Sequence, residues 1–157
     1  MSDAKAERGQ QWLERLLQLA GLPAQVDVTC QDDAYWLTIE SSALTPEQVS
    51  ALVGEGGKAI DSIQYLANAI LNMGCDEELQ AAYTLELAGY RQKRQEELRS
   101  KAEEVARQVR ETGESIEIAD LSGAERRQIH TLLKDSEDLE TFSRGQEPHR
   151  TLVVRLR

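Results

Sequence analysis

Glycines at 54, 56 and 57 followed by Lys58, in the run Val53-Gly54-Glu55-Gly56-Gly57-Lys58, make a Gly-x-x-Gly turn between two helical patterns. Without side chains at these positions a ligand backbone can approach closely. The helix that starts near Lys58 also aims unpaired N–H groups and a partial positive charge at the turn. This suits a phosphate chain, and it equally suits a plain connection between two helices, so the surrounding elements must decide. A second constellation lies further along. Arg126 and His130 are four residues apart in Arg126-Arg127-Gln128-Ile129-His130, which puts both on one face of a helix. Arg offers a permanent planar fork and His a donor whose charge depends on pH, a pair suited to phosphate. A surface pair that caps or packs locally is the alternative. Arg127 and the later Ser143, Arg144 and Arg150 add donors to the same half of the chain.

The elements that must position these groups can be read from hydrophobic spacing. Trp12, Leu13, Leu16, Leu17 and Leu19 give an amphipathic helix over residues 4–20, stopped by Gly21 and Pro23. Val26, Val28 and Cys30 alternate, Asp32-Asp33 marks a tight turn, and Tyr35, Leu37 and Ile39 alternate again, which predicts a hairpin. Thr45-Pro46-Glu47-Gln48 is a capping box with proline at the first helical position. After the glycines, Ile60, Ile63, Leu66, Ala67, Ile70 and Leu71 form an apolar stripe, and Tyr83, Leu85 and Leu87 predict a third strand. The first 88 residues therefore read as a three-stranded sheet with helices on one face.

A long helix follows. Leu98, Ala102, Val105, Ala106 and Val109 share a face, Glu97–Lys101 and Glu103–Arg107 are favourable pairs, and Gly113 ends it. Ile116 and Ile118 predict a short strand. Ser122-Gly123-Ala124-Glu125 is a second capping box opening a helix with Ile129, Leu132 and Leu133 on its buried side, and Thr151 to Arg157 predicts a closing strand. The fold class is α+β throughout.

Composition limits the function. The chain has 157 residues and a formal charge of -10, which argues against a generic polyanion binder. The acidity is uneven, however: residues 1–88 hold four Lys/Arg against fourteen Asp/Glu, whereas residues 89–157 hold fourteen of each. The second half can present a basic face locally, and the acidic half suits contact with a protein partner. Cys30 and Cys75 are isolated and read as reduced cytosolic thiols, with neither a disulfide framework nor a zinc site indicated. With no signal peptide and no apolar run of membrane-spanning length, a cytoplasmic location without membrane insertion is expected.

The order helix, strand, strand, helix, Gly-x-x-Gly, helix, strand resembles a type II KH domain. The Gly54 to Leu66 motif is similar to the KH domain of the bacterial Jag family, also called KhpB. In that family a second module named for an Arg-x-x-x-His signature, the R-three-H domain, follows the KH module. Gly89-Tyr90-Arg91 resembles the start of the family's long connecting helix, Arg126 and His130 match the signature, and Phe142 to Arg150 with the strand after it resembles the closing segment. The resemblance thus covers essentially the whole chain, with a KH domain over residues 1–88 and an R-three-H domain, including the connecting helix, over residues 89–157. It implies a short form without the additional N-terminal Jag domain.

The resemblance also implies binding of single-stranded nucleic acid, RNA first and DNA second, by a post-transcriptional regulator or RNA chaperone. Gly54, Gly56, Gly57 and Lys58 would form the KH clamp, with Glu55 standing where the family usually has a basic residue. A carboxylate about 5 Å from a phosphate costs about 1 kcal/mol even in water-like dielectric, so this contact is expected to be weakened. Arg126, Arg127, His130, Ser143, Arg144 and Arg150 are the R-three-H candidates. Arg91 and Arg94 are candidate contacts within a basic run that reads equally as a solvated face. Trp12, Trp36 and Tyr65 are expected in core or edge packing rather than in base stacking. The rival reading is a protein-interaction adaptor that pairs with another KH protein or with its own copy and binds RNA weakly or not at all. No constellation points to catalysis, and no cofactor or metal is expected.

Overall fold

In the computed structural model, which describes residues 3–157, the chain divides into two units, one ending at Arg91 and the other beginning at Gln92. Both mix helices with a three-stranded sheet.

The first unit opens with α1 (Ala4–Leu19), whose spacing of Leu13 and Leu17 buries one face. Strands β1 (Val26–Gln31) and β2 (Ala34–Ile39) form the expected hairpin, antiparallel from Val26↔Ile39 to Gln31↔Ala34. Asp32 and Asp33 both take positive φ, the backbone that a two-residue turn of the right twist demands. The capping box at Thr45 is formed in full and starts α2 (Pro46–Val53). A single 3₁₀ turn over Glu55–Gly57 then leads into α3 (Lys58–Asn72). Strand β3 (Ala82–Leu87) returns parallel to β2, so the sheet order is β1-β2-β3. Leu13, Leu17, Leu37, Ile39, Ile60, Ala67, Leu85 and Leu87 make the core.

The outer edge of β3 is closed by side chains. Asn68 donates to the Tyr83 carbonyl at 2.7 Å and accepts from the Tyr83 N–H at 2.9 Å. Asn72 does the same for Ala81, both at 2.8 Å, and Gln64 accepts from the Leu85 N–H at 2.9 Å. Three amides spaced by four on α3 thus satisfy an edge that would otherwise present unpaired backbone groups.

Not all of the predicted stripe on α3 is buried. Leu66 and Ile70 are 46% and 47% exposed, and Tyr65, expected in packing, is 73% exposed. The ladder explains Leu66 and Ile70: α3 turns its Gln64-Asn68-Asn72 row toward β3 and buries Ile60, Ala67 and Leu71 beside it, which leaves these two on the opposite face. Trp12 packs against the core as expected.

In the second unit α4 (Tyr90–Thr112), whose first two residues lie with the first unit, buries Leu98, Ala102, Val105, Ala106 and Val109. Then come β4 (Ile116–Ile118), α5 (Gly123–Leu133), β5 (Leu139–Arg144) and β6 (Thr151–Leu156). The sheet is antiparallel in the order β4-β6-β5. Strand β5 is not apparent in the hydrophobic pattern, because Leu139, Thr141 and Ser143 share one face and only the first is apolar. Leu132, expected to be buried, is 39% exposed, since the core-facing row of α5 is Ile129 and Leu133.

Candidate nucleic-acid interface

The turn at residues 54–57 needs its glycines for different reasons. All three have φ between +60° and +78°. A Cβ on Gly54 would lie 2.7 Å from the Ala59 nitrogen, and one on Gly57 only 1.8 Å from the Tyr90 hydroxyl, whereas one on Gly56 would meet open space. Gly54 and Gly57 are therefore fixed by close packing as well as by backbone conformation. Glu55 and Lys58 are exposed. Beside the turn runs an apolar groove of about 430 Å³ lined by Leu44, Pro46, Val49, Val53, Gly54 and Ala88 among others.

Arg91 and Arg94, both candidates from sequence, are engaged within their own units. Arg91 donates to Asp61 at 2.5 Å, to Gln64 at 3.0 Å and to the Leu85 carbonyl at 3.1 Å, which staples the start of α4 to α3 and β3. Arg94 pairs with Glu125 at 2.7 Å and with Glu97 at 3.3 Å. Glu125 is itself almost buried and accepts from the Ser122 N–H at 2.9 Å, completing the second capping box.

The other candidates converge on a cleft of about 420 Å³ in the second unit. Its walls are Gly123, Arg126, Arg127 and His130 from α5, Thr141, Phe142 and Ser143 from β5, and Arg150 and Leu152. Arg127, His130, Ser143 and Arg150 are exposed. The His130 Nδ1 and the Thr141 hydroxyl are hydrogen-bonded, which fixes the plane of the ring. Among the described residues, Arg127 and Arg150 form no ion pair. Arg144 instead pairs with Glu117 of β4.

Arg126 departs from expectation. It is not a surface residue beside His130 but is only 5% exposed. Its guanidinium donates to the Leu121 carbonyl at 2.6 Å and to the Arg150 carbonyl at 3.5 Å, and it pairs with the Glu147 carboxylate. Position on the helix face gives the direction of a side chain, but only the fold shows that the 145–150 loop closes over it.

Residues 96–156 match the family model of the R-three-H domain. Over 147 residues, 94% of its length, the chain is 25% identical to the RNA-binding protein KhpB of Clostridium symbiosum and covers 64% of that protein. It is 33% identical to the RNA-binding protein KhpB of Lactiplantibacillus plantarum over 106 residues, 68% of this chain and 32% of the relative. With the Bacillus subtilis protein of that name it shares 28% over 130 residues, 82% of this chain and 60% of the relative. The chain belongs to the KhpB family. It spans between about a third and just under two thirds of the length of these relatives.

Within this KhpB-family chain, the matched residues include the whole lining of the cleft, with Arg126 and His130 at Arg-x-x-x-His spacing among them. Sequence reasoning missed Thr141, Phe142 and Glu147. For the first two the hydrophobic pattern gives no signal, because Thr141 and Ser143 follow Leu139 on one face without an apolar side chain; the strand pairing is what sets Thr141 opposite Val154 on β6. For Glu147 no local pattern exists, because its partner is 21 residues away. Among the described residues no group of three His, Cys, Asp or Glu side chains is placed to hold a metal ion, and no helix is long and apolar enough to cross a membrane.

Proposed function

We propose that this chain is a non-catalytic cytoplasmic protein that binds single-stranded RNA as a post-transcriptional regulator or RNA chaperone, a KH domain over residues 1–88 preceding the R-three-H domain over residues 89–157. The observation that carries this is the second-unit cleft, where Arg127 and Arg150 stand exposed beside His130 and Ser143 and have no carboxylate partner among the described residues. Two unpaired guanidinium groups on a chain of charge -10 offer phosphate a local positive site, and the hydroxyl of Ser143 adds a neutral donor. The names of the relatives support RNA as the ligand.

In this reading the cleft supplies most of the charge-dependent affinity. The Gly54–Lys58 turn contributes less, because exposed Glu55 faces any phosphate that Lys58 attracts. Filter binding to a short oligouridine tests it, with oligothymidine as the comparison. Arg127→Ala and Arg150→Ala should each weaken binding about three- to tenfold and reduce the salt slope by about 0.7. Unchanged affinity and slope in both variants would reject the cleft as the site.

A second reading, an adaptor that pairs through the first unit, is favoured by one observation. Tyr65, Leu66, Ile70 and Met73 form an exposed apolar row on and just beyond α3, with Tyr65 and Met73 73% and 75% exposed. Light scattering on the purified chain without RNA distinguishes the two: a stable dimer dissociated by Tyr65→Ser with Ile70→Ser supports pairing, and a monomer at high concentration excludes self-pairing.

A further inference from the structure

The signature arginine of the cleft is poorly placed to touch a ligand. Its side chain is 6% exposed, whereas that of Glu147, which pairs with it, is 61% exposed, so the pair joins a buried guanidinium to a carboxylate at the surface. The acceptors around Arg126 come from two places: Leu121 just before α5, and Glu147 and Arg150 in the segment that returns to β6. A guanidinium presents its donors in a fixed planar fork and so can hold two segments at a set distance, which a lysine cannot do. Arg150, whose carbonyl lies 3.5 Å from this fork, sends its own side chain, which has no ion-pair partner among the described residues, to the cleft. Arg126 borders the cleft with little exposed surface and has its donors engaged by Leu121, Glu147 and Arg150, so a phosphate there would compete with these acceptors, while Arg127 and Arg150 are open to it.

We infer that Arg126 is a positioning residue. Together with Glu147 it fixes the 147–150 segment so that Arg150 is presented to phosphate, and it makes no phosphate contact itself. The inference rests on the reading of the cleft as an RNA site and specifies how that site is assembled. It separates two roles that the Arg-x-x-x-His pattern leaves merged: His130 at the cleft surface, Arg126 beneath it.

A mutant cycle read by oligouridine binding tests this, at a temperature where circular dichroism shows each variant folded. Arg126→Gln, Arg126→Lys and Glu147→Gln should each weaken binding about fivefold and lower the salt slope by about 0.7, as Arg150→Ala does. None should weaken it further in the Arg150→Ala background, since there is then no side chain left to position. A role confined to global stability would give the same loss in both backgrounds. A direct phosphate contact predicts something else again: Arg126→Lys retains most of the affinity, Arg126→Gln and Arg150→Ala add in affinity and slope, and Glu147→Gln tightens binding by uncovering a cation. Any of these results overturns the positioning role. If Arg150→Ala itself leaves affinity and slope unchanged, the reading of the cleft fails and the positioning role falls with it. Glu147→Gln keeps the test decisive should the Arg126 variants not fold, because it breaks the same pair from the solvent side.

Discussion

Asn68 on α3 bonds both backbone groups of Tyr83, its side-chain amide replacing the neighbouring strand that β3 lacks on that edge. The Asn68→Ala variant is therefore expected to lose more than an ordinary side-chain hydrogen bond. It leaves a donor and an acceptor of a half-covered strand unpaired, at about 1–3 kcal/mol each. Urea denaturation should show a loss of about 2–4 kcal/mol, and Asn68→Asp should also lose stability, because a carboxylate cannot donate to the Tyr83 carbonyl.

Gly56 and Gly57 lie side by side in the same turn with the same sign of φ, yet they should respond differently to alanine. Gly56→Ala meets only backbone strain, about 1–2 kcal/mol. Gly57→Ala adds a collision with the Tyr90 ring and hydroxyl and should cost about 2–5 kcal/mol. Equal losses in thermal or urea unfolding would show that Tyr90 does not pack beneath the turn.

Glu125 has two tasks, capping α5 through the Ser122 N–H and pairing with Arg94 at 2.7 Å. Ser122→Ala should cost about 1 kcal/mol as the loss of a cap. Glu125→Ala should cost about 1–3 kcal/mol, since it also takes from a half-buried guanidinium the shorter of its two carboxylate contacts and leaves it with Glu97. A double cycle with Arg94→Ala should recover part of that loss, and strict additivity would contradict the pairing.

Tyr35 gives a signature in alkaline solution. Its hydroxyl donates to the Asp3 carboxylate, and this bond above all holds the phenol up to about 12. The unfolded value is about 10, so the folded state prefers the protonated form. The stabilisation is complete below pH about 10 and is lost as pH rises from there to about 12. A spectrophotometric titration of tyrosinate should show one tyrosine ionising near that upper limit, absent in Tyr35→Phe.

Much of this fold is visible in the sequence because its signals are local. The capping boxes at Thr45 and Ser122, the Asp32-Asp33 turn and the helical stripes all depend on residues within one or two turns of each other. What is not visible depends on partners far away in sequence. The Gln64-Asn68-Asn72 row reads as ordinary polar spacing until β3 is set against it, and the exposure of Leu66 and Ile70 follows from that docking. Arg127, His130 and Arg150 line the cleft. Arg91, Arg94, Arg126 and Arg144 do not offer free charge, since each has found a carboxylate on another element. A count of cations per segment carries no information about such pairings.

The most direct measurement is ultraviolet crosslinking of the intact chain to single-stranded RNA, followed by mapping of the crosslinked peptides. If the cleft is the main RNA site, adducts concentrate in the peptides that carry Arg127 to His130 and Thr141 to Arg150, with fewer at Gly54 to Lys58. Adducts absent from the cleft peptides while present elsewhere, or no crosslinked RNA at all, would contradict it.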